Sequence, residues 1–229
     1  IDSSAKWLIL YGLPAVQVIF ARYCGAFLVL ILLFIPRGGL NQFVSNNPKL
    51  QFSRAIALLG GTTFNFLALQ FLPITTTIAI FFAMPLVITV LGYFILGEKV
   101  GFRRFAAVFV GFLGVLIIIQ PWGEDFHWAM ILSVAALFCA SSYFILTRLL
   151  AGQDNNSTSQ LWSSGVATFA IAPFALQNWH WPQTNMGFCV LVIIGVFGAI
   201  SHILATRAHL LANASTLAPT MYAQVIYAT

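Results

Sequence analysis

Apolar residues run through this chain in long blocks separated by short polar punctuation. Residues 80–96, IFFAMPLVITVLGYFIL, carry no charge across seventeen positions and then stop at Gly97-Glu98-Lys99. Similar blocks fall at about 14–35, 54–72, 74–96, 104–120, 127–148, 160–177, 187–206 and from 214 to the end. Each approaches the roughly 20 apolar residues that a helix needs to cross a bilayer, so the pattern predicts eight membrane helices. Pro14, Pro36, Pro48, Pro121 and Pro182 lie between blocks or at their ends, where proline punctuates helices. Pro85 lies inside one. It lacks an N–H, so a carbonyl one turn earlier loses its helical partner. Neighbouring helices or water can replace that bond inside a bundle but not facing lipid. Pro85 therefore predicts a kink, serving either packing or the lining of a cavity.

Composition agrees with a membrane setting. The chain is 60% hydrophobic and 7% charged, with a mean hydropathy of +0.95. Soluble proteins carry about 25% charged residues, so these side chains could not cover a surface facing water. The fold class predicted is an all-α polytopic membrane protein. Arg37, Lys49, Arg54, Lys99, Arg103, Arg104, Arg148 and Arg207 all follow odd-numbered spans, whereas the other side has only Lys6, with Glu124 and Asp125. Basic residues collect on the cytoplasmic side, which places the first group inside. The net charge of +5 then reports topology, not nucleic-acid binding. Ile1–Trp7 reads as the tail of an earlier segment and the last span stops in mid-course, as expected of a piece of a longer protein.

The chain also echoes itself. Leu67-Ala68-Leu69-Gln70, a turn, then Thr76-Thr77-Ile78-Ala79 is paralleled by Leu204-Ala205-Thr206-Arg207, a turn, then Ser215-Thr216-Leu217-Ala218. The two turns face opposite sides of the membrane. Inverted repeats of this kind belong to secondary transporters, with the substrate near midplane at the repeat interface.

Several short motifs in order give the chain a familiar outline. They are Phe20-Ala21-Arg22, Ala68 through Pro73, the Pro85 helix ending in Leu96-Gly97-Glu98, Gly111-x-x-Gly114 before Gln120-Pro121, and Ala214-Ser215 through Ala218-Pro219 to Tyr222 and Gln224. With these the chain resembles the EamA family of the drug/metabolite transporter superfamily. The resemblance implies ten helices in two inverted five-helix repeats, here residues 1–120 and 121–229. The eight spans would be helices two to nine, with helix one before them and helix ten after. It also implies transport of a small organic metabolite (a vitamin, nucleotide precursor, amino acid or similar) across a bacterial inner membrane, without a cofactor. Fold alone does not choose the substrate. The partners expected are a small-molecule substrate and the lipid bilayer, with homodimerisation left open.

Arg22 is the most informative side chain. It lies eight residues past Pro14, about 12 Å along a helix at 1.5 Å per residue, where a cation costs about 2.5–3.5 kcal/mol. It is expected to face the bundle interior, as a substrate contact or as an anchor. Asn65, Gln70, Tyr93 and His202 are the other polar candidates for the pathway, and the resemblance adds Tyr222 and Gln224. Tyr, Gln, Asn and one Arg walled by phenylalanines suit an aromatic or amphipathic solute with some negative charge. Glu98 is expected as an interfacial ion pair or a gate, and Pro85 as a kink or gate.

Asp2, Glu98, Glu124, Asp125 and Asp154 are all expected outside the membrane core, leaving His202 as the other titratable group within it, read first as a helix–helix hydrogen bond and second as a proton relay. Facilitated diffusion is then a serious option. Cys24, Cys139 and Cys189 have no paired spacing and read as small core residues, and no metal site is expected. The rival readings are a polytopic membrane enzyme, for which only Glu124-Asp125-x-His127 offers candidate groups, and a membrane receptor or assembly protein. Orientation is the testable point. In a background lacking the three cysteines, Asn46→Cys should be shielded from an impermeant thiol reagent in intact cells and Asp125→Cys should label. Reversed labelling would invert the topology.

Overall fold

The structure is a computed structural model that describes residues 1–98 and 126–217, with positions 101, 106, 109, 110, 113, 114 and 117 between them. Those residues are helical throughout, with turns between the helices. The elements are α1 (Asp2–Leu10), α2 (Ala15–Gly38), a 3-10 turn (Gly39–Phe43), α3 (Pro48–Phe71), α4 (Ile74–Phe81), α5 (Met84–Leu96), α6 (Ala129–Leu149), α7 (Asn156–Gln177), α8 (Asn185–Leu211) and α9 (Ala214–Leu217). Five stretches among the described residues are long and apolar enough to cross a membrane: Ala15–Phe43, Pro48–Phe71, Ile74–Leu96, Ala129–Leu149 and Asn185–Leu211. The chain is a polytopic membrane protein. The blocks expected at 104–120 and beyond 217 lie wholly or largely outside the described residues.

Helix α7 is long enough but less apolar, and its burial explains why. Ser157, Thr158, Ser159, Gln160, Ser163, Ser164 and Thr168 all face inward, and α7 packs against α2 and α3. The same inversion runs through the bundle. Leu32, Phe94, Phe169 and Val192 point outward, while Gln17, Gln51, Arg54, Ser133 and Ser141 expose no surface at all. Lipid is as apolar as leucine, so apolar side chains lose nothing by facing it. Polar groups must find partners inside the bundle.

Helix ends follow local chemistry. Asn47 caps α3, its side chain accepting from Leu50 N at 3.4 Å, with Pro48 at the first helical position. Thr184 caps α8, accepting from Gly187 N at 3.2 Å. Gly97 ends α5 in the left-handed region at φ 65°, which favours glycine. Two prolines depart from expectation. Pro36 lies inside α2, which continues to Gly38. The expected 74–96 helix breaks between Phe81 and Met84, before Pro85. There Ala83 N bonds Ile80 O at 3.0 Å in a tight turn, and Pro85 opens the next helix in its first turn, where no N–H is needed.

Helix α3 packs along α6 and α7, α2 along α7 and α8, and α5 along α6. The α2–α8 crossing depends on two glycines. A Cβ built at Gly195 would lie 2.8 Å from Gly25 Cα, and one at Gly25 would lie 3.1 Å from Gly195 Cα. Neither backbone can retreat without separating the helices. Helix α1, read from sequence as a tail, buries Ala5 and Leu8 completely. Lys6 Nζ donates to the terminal carbonyls of the α3 segment, Leu69 O and, at 3.1 Å, Leu72 O, a favourable position for a cation.

The end of the bundle carrying Arg37, Lys49 and Arg148, here called the basic end, is closed by a second network. Asp154 accepts from Ser45 Oγ, from Asn46 N at 2.8 Å and from Gln51 Nε2 at 2.8 Å. Burial pushes this carboxyl upward, but the hydrogen bonds from Ser45, Gln51 and Asn46 outweigh it and hold it below its ordinary value.

Two outcomes follow. Gly195→Ala should destabilise the purified protein by about 1–3 kcal/mol, read as a fall in thermal midpoint. Gly198→Ala should be tolerated, because a Cβ there makes only ordinary van der Waals contacts, with Arg22 Cγ at 3.6 Å, Arg22 Nε at 3.8 Å and Ala26 Cβ at 3.9 Å. For Asp154 the folded value is depressed, so its contribution is complete above the ordinary carboxylate value of about 3.9 and is lost as pH falls through the lowered one. Asp154→Asn should therefore lower the thermal midpoint at neutral pH, and the gap should close on acidification. A gap that persists or widens in acid would contradict this.

Candidate functional site

The polar face of α3 builds the centre of the molecule. Gln51, Arg54, Leu58, Thr62 and Asn65 recur at helical spacing and are all buried. Arg54 was expected among the basic residues of the cytoplasmic segment. It is instead fully enclosed by the bundle, and all its donors are satisfied. Its Nε donates to Thr147 Oγ1 at 2.8 Å, its Nη1 to Ser159 O at 2.8 Å and Ser163 Oγ at 2.7 Å, and its Nη2 to Tyr143 Oη at 2.9 Å and Thr206 Oγ1 at 3.0 Å. The guanidinium also lies 4.7 Å from the centre of the Tyr143 ring. Every partner is a neutral oxygen. Sequence reading missed this residue because it stands next to a basic loop. The available signal was its place six residues into α3, about 9 Å deep, on the same stripe as Thr62 and Asn65.

Arg22 projects from α2 and is 6% exposed. Its Nη1 donates to Thr62 Oγ1 at 2.5 Å and its Nη2 bonds His202 Nε2 at 2.9 Å. Two of the five guanidinium N–H groups are thus used, and Nε is buried without a partner. The partners' protons can be assigned from geometry. Guanidinium only donates, so His202 Nε2 accepts, and the neutral ring carries its hydrogen on Nδ1. That nitrogen lies 3.2 Å from Tyr143 Oη and donates to it. Tyr143 Oη then accepts from both Arg54 and His202, and its own hydrogen has no acceptor among the described residues. Tyr23 Oη donates to Leu58 O at 3.0 Å and lies 2.6 Å from Thr62 Oγ1, so Thr62 donates to Tyr23 while accepting from Arg22. One connected chain therefore joins Arg54, Tyr143, His202, Arg22, Thr62 and Tyr23.

This chain forms one wall of a cavity of about 300 Å³. Arg22, Thr62, Asn65, Tyr143, His202 and Asp2 supply its polar lining, and Phe66, Phe81, Met84 and Phe144 supply apolar surface. Asp2 was expected outside the membrane core. It lies instead in the lining of this cavity, where its Oδ1 accepts from Asn65 Nδ2 at 3.3 Å, six residues before the end of α3. A second void of only about 10 Å³ lies against Arg22, near Gly198 and Gln160.

Arg22, Asn65 and His202 of the sequence candidates are thus brought together. Gln70 is exposed near the end of α3 and Tyr93 is exposed on α5, its ring edge-on to Phe94 at 5.1 Å. Neither lines the cavity. Tyr222 and Gln224 lie outside the described residues. Pro85 is buried at the start of α5. Glu98 lies at the other end of that helix, its Oε2 buried without a hydrogen-bond partner among the described residues, while Lys99, Arg103 and Arg104 lie outside them. His127 Nδ1 accepts from Ala129 N at 3.1 Å, and Glu124 and Asp125 lie outside the described residues. The cysteines read as core are only partly so, since Cys189 is exposed. Its helix presents that side outward, where a small thiol is as acceptable to lipid as an apolar residue.

Residues 4–120 match the EamA-like transporter family. The chain is 30% identical to a riboflavin transporter of Vibrio cholerae, over 98% of this chain and 76% of that protein. It is 27% identical to an S-adenosylmethionine uptake transporter of Rickettsia bellii, over 93% of this chain and 73% of the relative. It is also 27% identical to a riboflavin transporter of Rhizobium johnstonii, over 93% and 71%.

Proposed function

Because the chain belongs to the EamA-like transporter family, we propose that it carries a small organic metabolite across the bacterial cytoplasmic membrane through the cavity beside Arg22. The observation that carries this reading is the contrast between the two buried arginines. Arg54 has every N–H satisfied by protein, whereas Arg22 uses two and lines a space of about 300 Å³. A side chain held for structure alone gains nothing from open donors, and leaving buried donors unmade is expensive. The named substrates of the relatives, riboflavin and S-adenosylmethionine, share little chemistry. The solute is therefore set by the cavity walls rather than by membership of the family.

Transport requires the cavity to open to each side in turn. Residues 1–120 and 121–229 are the two repeats in this reading, and bonds between them hold the ends. All five acceptors of Arg54 belong to the second repeat, as does Asp154, which holds Ser45, Asn46 and Gln51. At the opposite end Gln17 and the backbone of His180 exchange two bonds, at 2.6 and 2.9 Å. Opening the basic end means breaking the Arg54 and Asp154 bonds, and opening the other means breaking the Gln17 pair.

The test is flux in reconstituted vesicles of the full-length protein. Labelled riboflavin, S-adenosylmethionine, nucleosides and amino acids form the screen. For whichever solute moves, Arg22→Ala is expected to reduce the rate at least tenfold with folded yield largely kept. Arg22→Lys retains charge but not the planar donor array, so partial activity identifies charge as the requirement and none identifies geometry. Normal flux through folded Arg22→Ala protein would remove Arg22 from the pathway.

A further inference from the structure

Two guanidinium groups lie in this bundle, and no carboxylate touches either among the described residues. The chain has five acidic residues, and their positions account for that. Asp154 is engaged with Ser45, Asn46 and Gln51. Asp2 lines the cavity and accepts from Asn65, and Glu98 lies against Gly92 near the end of α5. Glu124 and Asp125 fall in the segment preceding α6, outside the described residues. Buried charge is ordinarily paired; Asp2, the described carboxylate that lines this cavity, is bonded to Asn65 and not to Arg22, so the free edge of Arg22 is open to an anion from elsewhere.

The proton assignments say where that anion sits. Among the described residues Arg22 retains three N–H groups without acceptors, including Nε. Tyr143 retains its hydroxyl hydrogen, because Arg54 and His202 both donate to its oxygen. The cavity wall is thus all donor at this point. Arg54 adds its positive field from behind Tyr143 and cannot itself turn to a ligand while its five bonds last. Asp2 repels an acid from the neighbourhood of Asn65, whereas Phe66, Phe81, Met84 and Phe144 offer the remaining surface to an apolar or aromatic body.

We propose that the cavity recognises an organic carboxylate, its acid group seated on the free edge of Arg22 with Tyr143 Oη–H as the additional donor and its apolar body against the phenylalanines. A planar carboxylate matches a guanidinium edge through parallel charge-assisted hydrogen bonds. An amide of the same shape brings N–H groups against a wall that already donates, and it has no charge to offset the two cations. The inference rests on the cavity being the solute site, but it specifies the solute's chemistry and is testable without transport.

Benzoate and benzamide form a matched pair, alike in size and differing in charge and in one donor group. Equilibrium binding of each, radiolabelled, to the full-length protein in nanodiscs should show benzoate bound at least tenfold more tightly. Arg22→Gln should bring benzoate down to about the level of benzamide while weakening benzamide far less. Tyr143→Phe should weaken benzoate a few-fold and not benzamide. If Arg22→Gln does not fold, Arg22→Lys is read instead and should reduce the benzoate preference without abolishing it. Equal binding of the pair, no binding of either at millimolar concentration, or a preference unaltered in the Arg22 variant overturns the proposal. The two readings fail separately. Benzoate selectivity through Arg22 in a protein that moves no solute would keep this inference and remove the transport reading, and a working transporter indifferent to the carboxylate would do the reverse.

Discussion

The interior of this protein depends on a cation that has no anion. Arg54 sits where four helices, α3, α6, α7 and α8, come together, and its five donors reach oxygens on the three helices that surround α3. Lipid offers no acceptor, so a guanidinium at this depth must be saturated by the protein or not be there. Saturation by hydroxyls and one carbonyl fixes the rotations of all four helices at once, because each acceptor is presented only by one face of its helix. From α7 the Ser163 hydroxyl and the Ser159 carbonyl meet this demand, and Thr147 and Tyr143 of α6 and Thr206 of α8 supply the rest.

The same bonds prepare the cavity. Arg54 holds Tyr143 Oη as an acceptor, which turns the tyrosine hydrogen elsewhere. Tyr143 receives the His202 Nδ1 proton, which leaves Nε2 bare and able to accept from Arg22. Each group thereby fixes the next, and the chain ends at the one guanidinium that keeps open donors. Structural saturation at one arginine and deliberate incompleteness at the other are consequences of a single network. Neither could be altered without the other responding. This network holds the polar wall together in this conformation although it contains no ion pair among the described residues.

Close approach of backbone is the other constraint. Gly25 and Gly195 let α2 and α8 meet at nearly their van der Waals limit, which brings Arg22 and His202, three residues from Gly25 and seven from Gly195 respectively, onto facing surfaces. In a membrane no hydrophobic force drives helices together, and small residues and polar bonds do so instead. The crossing glycines and the Arg22–His202 bond reinforce one another on the same pair of helices.

The sequence by itself determined the solvent, the helices and one inward-facing cation. Sixty per cent apolar composition leaves no choice but lipid, long apolar blocks must be helical there, and an arginine eight residues past Pro14 cannot reach water and so must face inward. Asn65 and His202 were legible for the same reason, as polar groups too deep to be elsewhere. What only the tertiary structure decided was which polar groups meet. Arg54 and Lys49 look alike in the chain, five residues apart beside the same loop. One is enclosed because α6, α7 and α8 close over its face of α3, and the other is not. Asp2 looked like an outside residue because α1 is short, and its contact with Asn65 places it in the cavity wall. Gln70 and Tyr93 looked as suitable as Asn65, yet their faces turn outward. Depth along a helix can be counted from a sequence, since the rise per residue is fixed. The direction a side chain faces in the bundle depends on partners distant in the chain, and local periodicity does not contain them.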